Sequence, residues 1–118
     1  MAYNDMDVIA YKILSYLYEC MKNGVPARAE DMCASAKLFR IPERYWRQII
    51  EELQDEGLVK GFFIINTKDG RIVSMTDEAR ITLKGANYLE ENSKMKEVGE
   101  FLGAGFREVL STMIKAII

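Results

Sequence analysis

Apolar residues recur every three or four positions in the first part of the chain, from Met6 to Met21. This spacing is typical of an amphipathic helix with one broad buried face. Asp5 precedes the run as a candidate N-cap, and Asn23-Gly24 follows it as a stop signal. The pattern predicts a first helix that ends just before Gly24.

Two further helices are predicted in the next part of the chain. Residues 29–36 place small and apolar side chains on one side, which predicts a short second helix. A third helix is predicted over 42–56, with Pro42 at its first position and Gly57 at its end. Its buried stripe consists of four apolar residues, Trp46, Ile49, Ile50 and Leu53.

A hairpin is predicted directly after the third helix. Residues 58–65 and 71–75 are rich in β-branched and aromatic side chains, which favours strands. The loop between them, 66–70, ends in Asp-Gly, a strong signal for a tight hairpin turn. The polar residues 76–80 are predicted to form a connector.

The remainder of the chain predicts two more helices. A fourth helix occupies 81–92, with Thr82 as its N-cap, and Asn92-Ser93 breaks it. From Lys94 to Ile118, apolar residues again recur every three or four positions, opposite a face of mixed charge.

This C-terminal stripe has three possible partners: its own domain, its twin in a dimer, or a membrane surface. A membrane is disfavoured because the polar face is mixed in sign rather than basic. The prediction is a homodimer. The predicted dimerisation residues are Val98, Leu102, Phe106, Val109, Leu110, Met113 and Ile117.

The order of these elements is that of a winged helix-turn-helix, in which a recognition helix precedes a hairpin wing. The predicted fold class is therefore mainly α with a small β-hairpin, an α+β fold. We expect a winged helix-turn-helix domain over 1–92 and a C-terminal amphipathic helix over 93–118.

Three stretches of the chain resemble a known family. They are YKILSYLYE near the start, IIEELQDEGLVKG in the middle and ITLKGANYLEEN after the hairpin. Together they are similar to the YjcQ family of small winged-helix proteins of bacteria and their phages, over roughly residues 8 to 118. The resemblance implies a winged domain of four helices and two or three strands, and it implies no catalytic residue. The stretch PARAEDMCASAKLFRIP departs from the family and is expected to lengthen the second helix or its turn.

Composition limits the chemistry available to the chain. It has 118 residues, a net charge of −2 and no histidine. The lack of histidine excludes serine or cysteine nucleophiles activated by that residue, and adjacent carboxylates on a helix diverge instead of converging on a substrate. Cys20 and Cys33 lack a paired spacing, so we expect buried thiols in a reducing cytosol and no zinc site.

These features predict no enzyme activity, no catalytic residue, no cofactor and no metal. No charged-then-apolar stretch typical of a signal peptide opens the sequence, and no apolar run approaches the roughly 18 residues that a membrane span needs. We therefore expect a cytoplasmic protein with no membrane partner.

Basic residues are concentrated around the start of the third helix, where residues 37–47 hold four cations and one carboxylate. In a helix-turn-helix this region enters the major groove, where Arg is suited to guanine and Gln to adenine. The hairpin tip adds two cations that can reach phosphates. The predicted DNA-binding residues are Lys37, Arg40, Arg44, Tyr45, Arg47, Gln48, Lys68 and Arg71.

The same pattern also fits a solvated helix face, since Arg47 and Glu51 are one turn apart. The four carboxylates within 51–56 would repel phosphates, and the acidic balance argues against indiscriminate nucleic-acid binding. The predicted function is a winged-helix DNA-binding protein suited to transcriptional regulation, with possible partners double-stranded DNA and a second copy. The alternative is a phage- or prophage-associated protein-interaction module with the same fold and no DNA binding.

Overall fold

Residues 2–118, which the computed structural model describes, form helices and one hairpin. Their order is α1 (Met6–Lys22), α2 (Glu43–Asp55), β1 (Val59–Thr67), β2 (Gly70–Ile81), α3 (Leu83–Glu91) and α4 (Ser93–Ile117). The two strands pair antiparallel. Residues 2–118 thus contain four helices and two strands, which confirms the predicted α+β fold class, mainly α with a small β-hairpin.

Helix α1 lies at the centre of the molecule and contacts α2, α3, α4 and β2. It is enclosed on most sides because its apolar residues cover more than one face, and Val8, Ile13 and Leu14 are fully buried. The predicted stop is confirmed: the helix ends at Lys22, and Gly24 has the left-handed φ of 67°. Asp5 occupies the N-cap position, but its carboxylate accepts a hydrogen bond from the Ala2 N–H instead of capping the helix.

The predicted helix over 29–36 was wrong, because the structure has a series of turns there. Backbone hydrogen bonds join residues three apart, for example from the Asp31 N–H to the Arg28 carbonyl and from the Ala36 N–H to the Cys33 carbonyl. A helix of about eight residues has little stability of its own, so tertiary contacts decide its conformation. The buried positions of this segment do not follow a helical period. They are Asp31, Met32, Ala34, Ala36, Leu38 and Phe39.

A cluster of polar side chains, two of them buried, holds this segment against α1. The Tyr16 hydroxyl donates a hydrogen bond to Asp31 Oδ2 at 2.7 Å and accepts one from the Arg28 N–H at 3.1 Å. The Arg28 guanidinium also donates to Asp31 Oδ2 through Nε at 3.0 Å. We call Tyr16, Arg28 and Asp31 the turn lock, since together they fix the turns that replace the predicted helix.

Alkaline pH should weaken this region through Cys20, which lies one turn after Tyr16 in α1. Burial raises the pKa of the Cys20 thiol from 9.0 to about 11. Because the folded-state pKa exceeds the unfolded value, the associated stability is fully present below pH 9 and is lost as pH rises through the folded pKa. Urea unfolding of wild type and Cys20→Ala at several pH values tests this. The stability advantage of wild type should shrink by about 1–2 kcal/mol between pH 8 and pH 11. A constant difference would contradict the assignment.

Helix α2 and its stop agree with the sequence prediction. Trp46, Ile49, Ile50 and Leu53 are buried, and the Trp46 ring centroid lies 4.7 Å from that of Phe39. Pro42 takes the N-cap position, one residue earlier than predicted. Gly57 has a φ of 74°, and the Gly57 and Leu58 N–H groups donate to the Gln54 and Leu53 carbonyls, which ends the helix.

The hairpin turn was correctly predicted, but the second strand is longer than 71–75. Pairing runs from Thr67 with Gly70 to Phe62 with Met75, then breaks, and resumes at Lys60 with Arg80. The predicted connector 76–80 is therefore largely a bulge within β2, with residues 76–79 opposite Gly61. At Gly61, φ is 95° and an added Cβ would lie 2.5 Å from the Ala79 Cα, so the two backbones are in direct contact there.

Helices α3 and α4 meet at the predicted break. Thr82 caps α3 by accepting a hydrogen bond from the Gly85 N–H at 3.0 Å, and Asn92 accepts from the Lys94 and Met95 N–H groups at the start of α4. The predicted C-terminal helix is present as α4, but it is kinked at Gly103, which has φ 66° and ψ −161°. This conformation divides α4 into two helical segments.

The apolar face of α4 packs against α1 and α3. Met95, Val98, Leu110 and Ile114 are buried in the same core cluster as α1 and α2. The predicted units 1–92 and 93–118 therefore share one core. In the part of the chain that the structure describes, no helix is long and apolar enough to cross a membrane.

Candidate nucleic-acid interface

The exposed face of α2 carries a stripe of polar side chains. Arg44 and Gln48 lie one turn apart in the first half of the helix, and Glu52 and Asp55 continue the same face in the second half. All four are exposed because the buried stripe of α2 lies on the opposite side. The first half therefore presents one cation and one amide to solvent, and the second half presents carboxylates.

Three other side chains of α2 hold the hairpin in place. Arg47 Nη1 donates to the Arg71 carbonyl at 3.0 Å, and Glu43 Oε1 accepts from the Val73 N–H at 3.3 Å. Further along the helix, the Gln54 amide donates to the Phe62 carbonyl and accepts from the Phe62 N–H, at 2.9 and 3.0 Å. These contacts with both strands fix the orientation of the hairpin relative to the exposed face of α2.

Two of the predicted DNA-binding side chains are engaged within the chain. Arg47 lies 3.4 Å from Glu51 as well as bonding to the hairpin, and only 17% of its side chain is exposed. The Tyr45 hydroxyl donates to the Asn4 carbonyl at 2.7 Å, and burial, followed by the charges of Asp5 and Asp7, raises its pKa. The structure thus uses Arg47 and Tyr45 for packing contacts, not as open surface groups.

The remaining predicted side chains are exposed but are not all in one place. Lys68 and Arg71 lie at the end of the hairpin that α2 holds. Arg40 has the left-handed φ of 49° and precedes α2 directly. Lys37 borders a cleft with Leu102, Phe106 and other residues of α4, so it lies beside that helix.

We call Arg40, Arg44, Gln48, Lys68 and Arg71 the basic surface. Its members come from the turn before α2, the exposed face of α2 and the end of the hairpin. The residues that hold these parts together, Glu43 and Gln54, were not predicted from the sequence. Their spacing with Arg47 was the available signal, since positions 43, 47 and 54 share one side of a helix.

Two of the predicted dimerisation residues are not on the surface. Val98 and Leu110 are 0% and 6% exposed within the single chain, because α4 packs on its own domain. Four more pack partly against the same core, and the Phe106 ring centroid lies 5.9 Å from that of Tyr11. They are Leu102, Phe106, Met113 and Ile117. Of the predicted set, Val109 is the most open, with 41% of its surface exposed.

The fold and this surface define a class: a small α+β protein in which a helix is followed by a hairpin that it holds in place. The family model described as YjcQ protein matches residues 11–103, which cover most of the chain. The chain belongs to the YjcQ family. Neither the search of curated proteins nor the search of solved structures gave a match. The matched region begins within α1 and ends at Gly103, where α4 is interrupted.

Proposed function

We propose that this chain binds double-stranded DNA as a winged-helix protein, with α2 in the major groove and the hairpin as the wing. The observation that supports this most is the attachment of the hairpin to α2 by Glu43, Arg47 and Gln54. Because of these contacts, the cations of the hairpin and the exposed side chains of α2 keep a fixed relative position. Such a surface suits a protein that reads bases with a helix and holds phosphates with a wing.

Each member of the basic surface has a role in this proposal. In the proposed complex, Arg44 and Gln48 contact base edges, where Arg suits guanine and Gln suits adenine. Arg40, Lys68 and Arg71 bind phosphates. The carboxylates Glu52 and Asp55 stay outside the groove, so only the first two turns of α2 enter it. A DNA binder of this kind suits transcriptional regulation and does not require enzyme activity.

Arg44→Ala tests the proposal with a closely matched control. Arg44 is exposed in the first turn of α2, and Arg107→Ala makes the same change at an exposed position of α4. We expect Arg44→Ala to weaken binding to the genomic duplex that wild type binds most tightly by about tenfold, as for the loss of one Arg–base contact. Arg107→Ala should bind as wild type does. Equal affinities for all three proteins, measured by fluorescence anisotropy, would remove α2 from the proposed interface.

A protein-interaction module without DNA binding is the second candidate, and the hairpin supports it. Phe63 and Ile65 are 44% and 38% exposed on β1, and Ile65 pairs directly with Ile72. Exposed apolar side chains grouped in this way are typical of surfaces that bind proteins. If this candidate is correct, Phe63→Ser should abolish capture of a protein partner from a lysate of the host, and Arg44→Ala should have no effect on that capture. Loss of DNA binding in Arg44→Ala, with no change in Phe63→Ser, would favour the DNA-binding proposal instead.

We also propose a homodimer that forms through exposed apolar side chains of α4. Phe101 and Val109 are 37% and 41% exposed, whereas Val98 and Leu110 are buried in the core. Val109→Glu should therefore convert a dimer into a monomer in light scattering without unfolding the chain. A wild-type protein that is monomeric at all concentrations would exclude this proposal.

A further inference from the structure

A cleft separates the end of α1 from the base of the hairpin, and we call it the base cleft. Its volume is about 480 Å³, within the range of small-molecule sites. One wall comes from the end of α1 and the segment 25–27, and the other comes from Lys60 and residues 77–80 of the bulge in β2. None of the basic-surface residues lines it.

The first wall of the base cleft is apolar. It is formed by Leu17, Met21, Val25 and Pro26, and Met21 is 41% exposed. Cys20 contributes to the same wall, and its raised pKa keeps the thiol protonated at neutral pH. This side of the cleft therefore suits an apolar group of a ligand.

The second wall carries charges of both signs. Lys60 and Arg80 are directly opposite in the strand pair, so their side chains lie on the same face, where like charges repel. Asp77 and Glu78 project from the neighbouring bulge and also line the cleft. Among the ion pairs of residues 2–118, none within 4.0 Å involves any of these four side chains. Arg80 Nη1 donates to the Ile81 carbonyl at 3.1 Å, and its remaining N–H groups pair with no carboxylate among the described residues. Two cations and two carboxylates thus line one cleft without forming ion pairs with each other.

We propose that the base cleft binds a free apolar α-amino acid. The carboxylate of the ligand would lie at Lys60 and Arg80, its ammonium group at Asp77 and Glu78, and its side chain against the apolar wall. Each contact with a charged group would be a charge-assisted hydrogen bond. The two carboxylates would repel a purely anionic ligand, and the two cations would repel a purely cationic one. A zwitterion with a polar side chain would leave the apolar wall without a contact. Ligand binding in the base cleft does not require DNA binding at the basic surface.

Three molecules of similar shape test the proposal on the full chain. L-Phenylalanine carries both charges, 3-phenylpropanoate lacks the ammonium group, and 2-phenylethylamine lacks the carboxylate. Titrations followed by amide chemical shifts should show phenylalanine binding at least tenfold more tightly than either analogue. The largest shifts should fall at Val25, Ala27, Lys60 and Ala79. Equal affinities for the three molecules would overturn the proposal, and so would the absence of binding by phenylalanine.

Matched variants test whether the ligand binds in the base cleft or elsewhere on the surface. Lys60 and Arg80 are exposed, so Lys60→Gln and Arg80→Gln are expected to fold. Each should weaken phenylalanine binding at least fivefold and leave binding of 2-phenylethylamine unchanged, since that analogue has no carboxylate. Lys96→Gln, at an exposed position of α4, is the control and should bind phenylalanine as wild type does. An equal effect of Lys60→Gln and Lys96→Gln would place the ligand elsewhere.

Discussion

Gly85→Ala should destabilise the folded chain by about 3 kcal/mol or more, as expected for overpacking at a site that cannot yield. Gly85 lies in the first turn of α3 and is buried. A Cβ there would overlap the Leu58 carbonyl oxygen and lie 2.7 Å from Ile81 Cγ1. The carbonyl cannot easily move away, because the Thr82 N–H donates to it at 3.0 Å. Helix α3 can therefore approach the start of β1 only without a side chain at position 85.

Gly105→Ala is the control for this prediction. Gly105 lies in α4, where a Cβ would meet no heavy atom within 4 Å. The same substitution there should be neutral or should stabilise the protein by up to about 1 kcal/mol, because alanine favours helix formation. Thermal unfolding should show a Tm lowered by more than about 10 °C for Gly85→Ala only. Similar Tm values for both variants would contradict the close packing of α3 on Leu58.

Asp31→Ala should lower the free energy of unfolding by about 2–3 kcal/mol, because it leaves a buried donor without a partner. Asp31 is 9% exposed and accepts the hydroxyl hydrogen bond of Tyr16, which is fully buried. It also binds the Arg28 guanidinium. Without the carboxylate, the turns that replace the predicted second helix lose their main attachment to α1. The loss should be visible in urea unfolding and as faster amide exchange between residues 28 and 36.

The variants Asp31→Asn and Tyr16→Phe test whether the lost stability comes from the hydrogen bond between Tyr16 and Asp31 in the turn lock. The side-chain carbonyl introduced by Asp31→Asn would still accept from the Tyr16 hydroxyl, so the cost of this variant should be about half that of alanine. Tyr16→Phe removes the donor, and the double variant Tyr16→Phe/Asp31→Ala should cost less than the sum of the single changes. Additive effects would show that Tyr16 and Asp31 do not act as a pair.

Local signals in the sequence were sufficient for α2 and its surroundings. The stripe from Trp46 to Leu53, the glycine stop at Gly57 and the Asp-Gly turn all depend on neighbouring residues only. Thr82 was identified as a cap for the same reason. The exposed face with Arg44 and Gln48 follows directly from the position of the buried stripe.

Features that depend on distant contacts could not be predicted. The turns at 29–36 exist because Tyr16 binds Asp31 across 15 positions of the chain, and no local pattern contains that information. Strand β2 extends to Ile81 because pairing with Val59 resumes after the bulge. Arg47 and Tyr45 fit the pattern of exposed polar residues. Their side chains, however, donate hydrogen bonds to the Arg71 and Asn4 carbonyls and are therefore not part of the basic surface.

Helix α1 is the element around which the fold is organised, because every other helix contacts it. The apolar stripe of α4 is buried within the chain because α4 packs against α1. For function, this means that α2 is fixed from behind by α1 and from the side by the hairpin, with only its outer face open.

The salt dependence of DNA binding tests the central proposal most directly. Three cations of the basic surface, Arg40, Lys68 and Arg71, are assigned to phosphates. Binding of wild type to duplex DNA, followed by anisotropy from about 50 to 300 mM salt, should give a log–log slope between about −2 and −3 for this number of phosphate contacts. Lys68→Ala should reduce the steepness of that slope by about 1, whereas Arg44→Ala, which removes a base contact, should leave the slope unchanged. No binding at the lowest salt, or a slope near zero, would contradict the proposal that this protein binds DNA.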